Sequence, residues 1–215
     1  MVSEARGNRA AEILGGCTVK VTRSTTIDTE LFELGDVISF TLTTGEKVKA
    51  KAVLETPEGM LFMTVDCLKD KKKMDSRFDV ADYEHSYLRW ILNTEILDTF
   101  PDEIKRRMGR MRIGNNEFDR LRIPTEREIL GKHAYGDKPE LESVRQFYGM
   151  ENRRERIALD AAGITKYWLA NKTKYWMENP VDGVGFCFVV IGTDGNAELQ
   201  NCFGFFGVRP VFLLA

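Results

Sequence analysis

Apolar and polar residues alternate along the first third of the chain in the manner of β-strands. Three alternating runs at 37–42, 47–54 and 60–67 are separated by the short segments TTGE and TPEG. Alternation with a period of two buries one face of a strand, and glycine and proline supply the backbone angles of tight turns. This region is therefore predicted to be a β-meander.

The hydrophobic period lengthens to that of a helix after Tyr83. In YEHSYLRWILNTEIL, residues at helical spacing form one apolar stripe, namely Leu88, Ile91, Leu92 and Ile96. Such a stripe is typical of a helix packed on a core. In FPDEIKRRM a second helix is predicted, with Pro101 in its first turn and acidic residues near its positive end.

Two further helices are predicted from their capping residues. In IPTEREILG, Thr125 is the expected N-cap, Glu128 lies three residues on, and Gly131 is the expected stop. Each of the first two side chains can then satisfy the backbone amide of the other, as in a capping box. In KPELESVRQFYG the same design predicts a helix from Pro139 to Gly149.

The last fifty residues return to strand patterns. Strands are predicted in KYWLAN, GFCFVVIGTDGNAELQN and FGVRPVFLLA, with TDGN at 193–196 as a hairpin turn. An Asp-Gly pair tolerates the positive φ angles that such turns need. The order of meander, helices and sheet predicts an α+β fold, with helices packed on one side of a mostly antiparallel sheet.

The N-terminal segment has its own pattern. Residues 3–14 are predicted to form a short helix that Gly15 and Gly16 end, and the alternating CTVKVTRST follows as a strand. Residues 1–32 are therefore set apart as a candidate assembly arm, and residues 33–215 as the main domain.

Composition and charge exclude several classes of protein. The chain has 215 residues, 43% of them hydrophobic, and a net charge of -2, without the basic excess of a nucleic-acid binder. It has no apolar run long enough for a membrane span, and its first residues lack the apolar region of a secretory signal. No partner nucleic acid, no membrane span and no signal peptide are expected.

Residues of the kinds that carry catalysis or bind metals are few and scattered. No pair among Cys17, Cys67, Cys187 and Cys202 has C-x-x-C spacing, so neither a zinc site nor another cofactor is expected. Free buried thiols are the expectation, although Cys187 and Cys202 lie on neighbouring predicted strands and could pair in an oxidising environment. His85 and His133 are far apart, and no hydrolase grouping exists, so the chain is not expected to be an enzyme.

Four patterns in order resemble a bacterial and phage protein family of unknown function with a C-type-lectin-like domain. The first three are ELGDVISF, YLRWILNTEILDTFPDEIKRRM and LRIPTEREILG. The fourth is the C-terminal pattern, which consists of YWLANKT, GFCFVVIGTDGNAEL and GVRPVFLL. The similarity spans residues 33–215. Ala170 and Asn171 stand where that family would have Arg and Ser, a departure at the point where a polar network is expected.

This resemblance implies that the last strand runs through the core of the sheet. Val208, Val211 and Leu213 are expected to bury one face, with Phe212 and Leu214 on the other.

Two residues interrupt the apolar pattern of that strand. Pro210 cannot donate a hydrogen bond to a neighbouring strand, so the strand is expected to be irregular there. Arg209 is too costly to bury alone, and it is expected to pair with a carboxylate, with Glu128 as the candidate, or with backbone carbonyls of the helical half.

The family resemblance also implies a function. It suggests a non-catalytic binding or structural module on a phage or prophage virion, as a decoration, fibre or receptor-contact protein. Virion or cytoplasm is the expected location, and a homo-oligomer that contacts other virion proteins and a protein or cell-surface ligand is the expected assembly.

Two alternatives stay open. The fold family also resembles formylglycine-generating enzymes and the variable proteins of diversity-generating retroelements. The first alternative is therefore an oxidase of the formylglycine-generating type, in which Cys187 and Cys202 would have to hold copper. The second alternative is a cytoplasmic regulator encoded by a mobile element.

The binding surface is predicted in the stretch ANKTKYWMENP. It mixes rigid aromatic rings with polar groups on a loop, a composition that interfaces favour. The alternative is that its two aromatic residues only pack the loop down. The predicted ligand-binding residues are Lys172, Lys174, Tyr175, Trp176, Glu178 and Asn179.

Overall fold

The structure is a computed structural model that describes residues 12–14, 17–19, 32–77, 82–113, 117–135, 144–175 and 185–215. The strands before the helical region are β1 (Glu12–Leu14), β2 (Cys17–Val19), β3 (Val37–Thr41), β4 (Lys47–Thr56) and β5 (Gly59–Thr64). Those that follow it or lie within it are β6 (Met108–Gly109), β7 (Met111–Ile113), β8 (Glu117–Asp119), β9 (Ala158–Asp160), β10 (Gly163–Thr165), β11 (Tyr167–Tyr175), β12 (Gly185–Ile191), β13 (Ala197–Asn201) and β14 (Val211–Leu214).

The described helices are short, and they lie between β5 and β9 in the sequence, with β6, β7 and β8 among them. A 3-10 turn at Tyr83–His85 leads into α1 (Tyr87–Ile91), which continues as a π-helical turn, Leu92–Ile96, into α2 (Leu97–Thr99). The remaining ones are α3 (Asp102–Arg107), α4 (Glu126–Leu130) and a second 3-10 turn at Arg153–Arg156. The mixture of antiparallel sheets and a few helices is the α+β class that the sequence predicts.

Two antiparallel sheets hold most of the strands. The larger has the order β3-β4-β5-β14-β6, and the smaller has the order β11-β12-β13. The last strand therefore lies between β5 and β6, with Phe212 opposite Phe62 and Leu214 opposite Met108. The expectation that the chain ends inside a sheet is confirmed.

Side chains of β14 alternate between two hydrophobic clusters. Phe212 and Leu214 belong to one cluster, and Val211 and Leu213 to the other. The expected alternation is confirmed for these four residues, but Val208 packs with Phe212, so its predicted face is wrong. The strand begins only after Pro210, so its alternation does not extend back to residue 208.

The predicted helical stripe and capping residues are confirmed. All four stripe residues are buried: Leu88, Ile91, Leu92 and Ile96. At α4 the Thr125 and Glu128 side chains form the reciprocal capping box, and Gly131 ends the helix with a φ of 73°. Gly195, in the predicted hairpin turn, also has a positive φ, of 80°.

Two predicted helices differ from the structure. Glu12–Leu14 pair with Cys17–Val19 as a hairpin, so the end of the predicted helix 3–14 is wrong, and residues 3–11 lie outside the described ranges. The predicted stop at Gly15 and Gly16 lies outside the described residues. Residues 144–147 have no helical structure, so the predicted helix from Pro139 is wrong in its described part.

Candidate functional site

The start of α4 is tied to strand β11. The side-chain oxygen of Asn171 accepts a hydrogen bond from the backbone N–H of Glu126 at 2.6 Å. One residue earlier, the backbone N–H of Ala170 donates to the carbonyl of Pro124 at 2.9 Å. The Asn171 side chain thus satisfies one of the open amides of the helix N-terminus.

The side chain of Glu126 binds the loop that follows α4 through hydrogen bonds. Its carboxylate is fully buried, and Oε1 accepts hydrogen bonds from the backbone N–H groups of Tyr135 at 3.0 Å and Ala134 at 3.3 Å. His133 Nδ1 lies 3.6 Å from Oε2, and the His133 side chain is 26% exposed. His133 belongs to a loop, as the sequence predicts, but its ring covers a buried carboxylate. Glu126, His133 and Asn171 are called the anchor cluster below.

The anchor cluster fixes two segments of chain on one helical turn. Two backbone amides donate to this buried carboxylate, so the loop that carries them cannot leave without breaking both hydrogen bonds. The cluster therefore gives a rigid base to both.

The predicted ligand-binding residues fall on β11 and beyond it. In the pairing with β12, Lys172 lies opposite Phe188, Lys174 opposite Phe186 and Tyr175 opposite Gly185. The structure brings these three together on the strand that Asn171 anchors. The other three, Trp176, Glu178 and Asn179, lie outside the described residues.

Sequence reasoning missed the anchor cluster because helix capping already explained its acidic residue. Glu126 directly follows the N-cap, where an acidic side chain is common and solvent-exposed. Only the fold shows that this position faces inward and that Asn171, 45 residues later, meets it.

A buried ion pair lies at the start of α4, next to the anchor cluster. Glu128 pairs with Arg122 through two hydrogen bonds, of 2.7 and 2.5 Å, and the backbone of Arg122 is bonded to Val211 of β14. Glu128 is therefore not the partner of Arg209, and that prediction is wrong. The strand order explains this, because β14 brings Arg122 rather than Arg209 to the start of α4.

Arg209 finds its partners in the sheets. Its Nε donates to the carbonyl of Thr64 at 3.1 Å, and its Nη1 donates to the hydroxyl of Tyr167 at 3.1 Å. The guanidinium also lies 4.9 Å from the centre of the Tyr167 ring. A backbone carbonyl is a partner, as predicted, but it belongs to β5 and not to the helical half. The structural role predicted for this residue agrees with a side chain that is 2% exposed.

The cysteines form no disulfide within the described residues. Cys67, Cys187 and Cys202 are free, with Cys67 and Cys202 buried and Cys187 partly buried. Burial raises the pKa of Cys67 to about 12, and it also raises the pKa of Cys187 and Cys202. A thiol with a raised pKa is a poor nucleophile and a poor metal ligand.

We expect Cys67 and Cys202 to resist alkylation by iodoacetamide in the folded protein at pH 8, since neither is exposed or ionised there. Peptide mass spectrometry gives the modified fraction at each cysteine, and the same reaction in denaturant, where all four cysteines should react, is the control. Rapid labelling of Cys202 in the native state would contradict this expectation and would revive the copper-oxidase alternative.

The described residues contain no group of three or more His, Cys, Asp and Glu side chains placed to hold a metal ion. Among the helices of these residues, none is both long and apolar enough to cross a membrane.

Residues 58–215 match the family model described as a domain of unknown function (DUF6273), and the chain belongs to that family. No curated protein and no solved structure matches the chain. The matched region begins in the turn between β4 and β5, so the two strands before it complete a sheet that the matched region only partly contains.

Proposed function

We propose that this chain is a non-catalytic binding module with a C-type-lectin-like fold, and that it binds its ligand at the end of the β11–β12 hairpin. The anchor cluster carries the proposal. It fixes the strand that leads to the predicted ligand-binding residues, and interfaces work best when such residues stand on rigid elements.

The composition of the proposed surface suits recognition. Aromatic side chains supply a large contact area at a low cost in conformational entropy, and neighbouring polar groups supply direction. Tyr175 and Trp176 follow two lysines, and Glu178 and Asn179 come after them, beyond Met177. Tyr135, on the other anchored segment, is 44% exposed and offers a further aromatic ring for recognition.

The resemblance to phage and bacterial proteins supports a place on a virion for this module. In that role it would act as a decoration, fibre or receptor-contact protein, and residues 1–32 would join copies of the chain into a homo-oligomer. A protein or a cell-surface structure is then the ligand. The proposal requires neither a metal nor a cofactor.

We expect the double variant Trp176→Ala/Asn179→Ala to bind at least about 30-fold more weakly than the natural chain, as for the loss of an aromatic hot spot of an interface. The measurement is flow cytometry of fluorescently labelled protein on cells of the strain whose genome carries the gene. The control is Tyr148→Ala, which removes another exposed aromatic ring outside the proposed surface. Equal binding by all three proteins would contradict the proposed site, and no cell binding by any of them would contradict the function.

A further inference from the structure

A lysine-rich segment is built firmly into the fold. Residues 67–77, called the lysine strap here, carry four lysines and one arginine against two aspartates, a net charge of +3 in a chain of net -2. The sequence KDKKKMD alone predicts a solvated loop.

Backbone hydrogen bonds fix the strap along its length. Lys72 and Phe206 exchange two of them, of 3.0 and 3.2 Å, and the Trp168 indole N–H donates to the Lys72 carbonyl at 2.7 Å. Further along, the N–H of Met74 donates to the carbonyl of Cys202 at 3.0 Å. The positions of its lysines are thus set by the fold.

Exposed apolar side chains follow the strap from end to end. At its start, the N–H of Cys67 donates to the carbonyl of Leu159, which faces Ile164 across the β9–β10 hairpin. In its middle, Phe205 directly precedes the residue that pairs with Lys72.

At the far end of the strap lies an aromatic pair. The N–H of Tyr87 donates to Asp75 Oδ2 at 2.8 Å, and the Tyr87 and Trp90 rings stack with their centres 5.5 Å apart. All five apolar side chains along the strap are between 45 and 60% exposed: Tyr87, Trp90, Leu159, Ile164 and Phe205. The strap and these five residues are called the cationic band.

The cations of the band have few carboxylate partners. Lys71 pairs with Asp160 at 3.0 Å and Arg77 pairs with Asp75 at 2.9 Å. Within the described residues, the ammonium groups of Lys69 and Lys72 form no salt bridge, although the Glu46 carboxylate accepts a hydrogen bond at 2.8 Å from the backbone N–H of Lys69. The ammonium of Lys73 lies 4.9 Å from the centre of the Phe205 ring. Positive charge therefore remains uncompensated beside exposed apolar surface.

We propose that the cationic band docks on an anionic lipid bilayer, with its lysines at the headgroups and its apolar side chains in the interface. Lysine next to Trp, Tyr, Phe and aliphatic residues is the composition of surfaces that lie on membranes. Each lysine near an anionic surface strengthens such binding about five-fold. This proposal does not depend on the function proposed for the end of the β11–β12 hairpin.

The same charges suit a nucleic acid less well. Nucleic-acid surfaces use free aromatic faces to stack on bases. Here Lys73 covers a face of Phe205, Tyr87 and Trp90 stack on each other, and Leu159 and Ile164 have no ring to offer. All five side chains, in contrast, have apolar area to bury in a bilayer interface.

The test is flotation of the full chain with vesicles of phosphatidylglycerol and phosphatidylcholine, against vesicles of phosphatidylcholine alone. We expect binding to the anionic vesicles that weakens as salt is raised. Lys69→Gln/Lys72→Gln should weaken it about 30-fold. Phe205→Ser should weaken it about ten-fold through the lost apolar contact.

A charge-matched variant serves as the control. Arg106→Gln/Arg110→Gln removes two exposed cations outside the band and should leave vesicle binding almost unchanged. Urea unfolding curves that coincide for all the variants show that each one is folded. The proposal would be overturned if the chain did not bind vesicles, or if it bound both kinds of vesicle equally. It would also be overturned if the control variant lost as much binding, or if the chain bound a DNA oligonucleotide and not vesicles.

Discussion

Glu128→Gln should lower the free energy of unfolding by about 3–5 kcal/mol, as expected when one member of a buried ion pair is removed. The Glu128 carboxylate accepts two hydrogen bonds from Arg122, and it also accepts one at 2.9 Å from the backbone N–H of Thr125. The side chains of the pair are only 9% and 5% exposed. The neutral amide would leave the guanidinium of Arg122 buried without a counter-charge.

The position of the pair explains why its loss should affect the whole fold. Arg122 is bonded through its backbone to Val211 of β14, while Glu128 closes the capping box of α4. The same helix carries Glu126 of the anchor cluster. The pair thus joins strand β14 of the large sheet to the helix that carries the base of the proposed binding surface.

Urea unfolding followed by tryptophan fluorescence measures this effect. The matched control is Glu155→Gln, because the Lys51–Glu155 pair is 3.6 Å long and half of the Glu155 side chain is exposed. An exposed pair of this kind contributes less than about 1 kcal/mol. Similar losses for both variants would show that burial of the Arg122–Glu128 pair does not set its contribution.

Local sequence rules predicted the elements whose structure is determined by a few neighbouring residues. The capping box at Thr125, the stop at Gly131 and the Asp-Gly turn at 193–196 depend on backbone angles and on bonds within a single turn. Period-two alternation likewise predicted the meander, because each of its strands pairs with the next along the chain.

Contacts between distant residues could not be predicted in this way. The partner of Arg209 was wrong because only the strand order shows that β14 lies beside β5 and brings Thr64 within reach. Asn171 and Glu126 are 45 residues apart, and no local pattern joins them. The helix expected over residues 3–14 failed in its described part, since Glu12–Leu14 pair with Cys17–Val19, and no periodicity within residues 3–14 shows that pairing.

Phe212→Ala should cost about 3–5 kcal/mol of stability, the usual effect of deleting a large aromatic side chain from a core. Phe212 is fully buried in the last strand of the chain. Its ring packs against those of Phe62 at 5.8 Å, Phe100 at 5.7 Å and Phe40 at 6.1 Å between ring centres. These partners come from β5, from the residue after α2, and from β3, so one side chain joins the meander, the helices and the C-terminal strand.

The same denaturation experiment with Phe118→Ala provides the comparison, because that ring is 51% exposed and its removal should change stability by less than about 0.5 kcal/mol. Cell binding gives a second readout. At temperatures where Phe212→Ala is still folded, its cell binding should equal that of the natural chain, since the rings around Phe212 belong to Phe40, Phe62 and Phe100, none of which lies on β11 or β12. A stability loss as small as that of Phe118→Ala would mean that the last strand adds little to the core, and the contribution of β14 to the fold would have to come from its backbone hydrogen bonds alone.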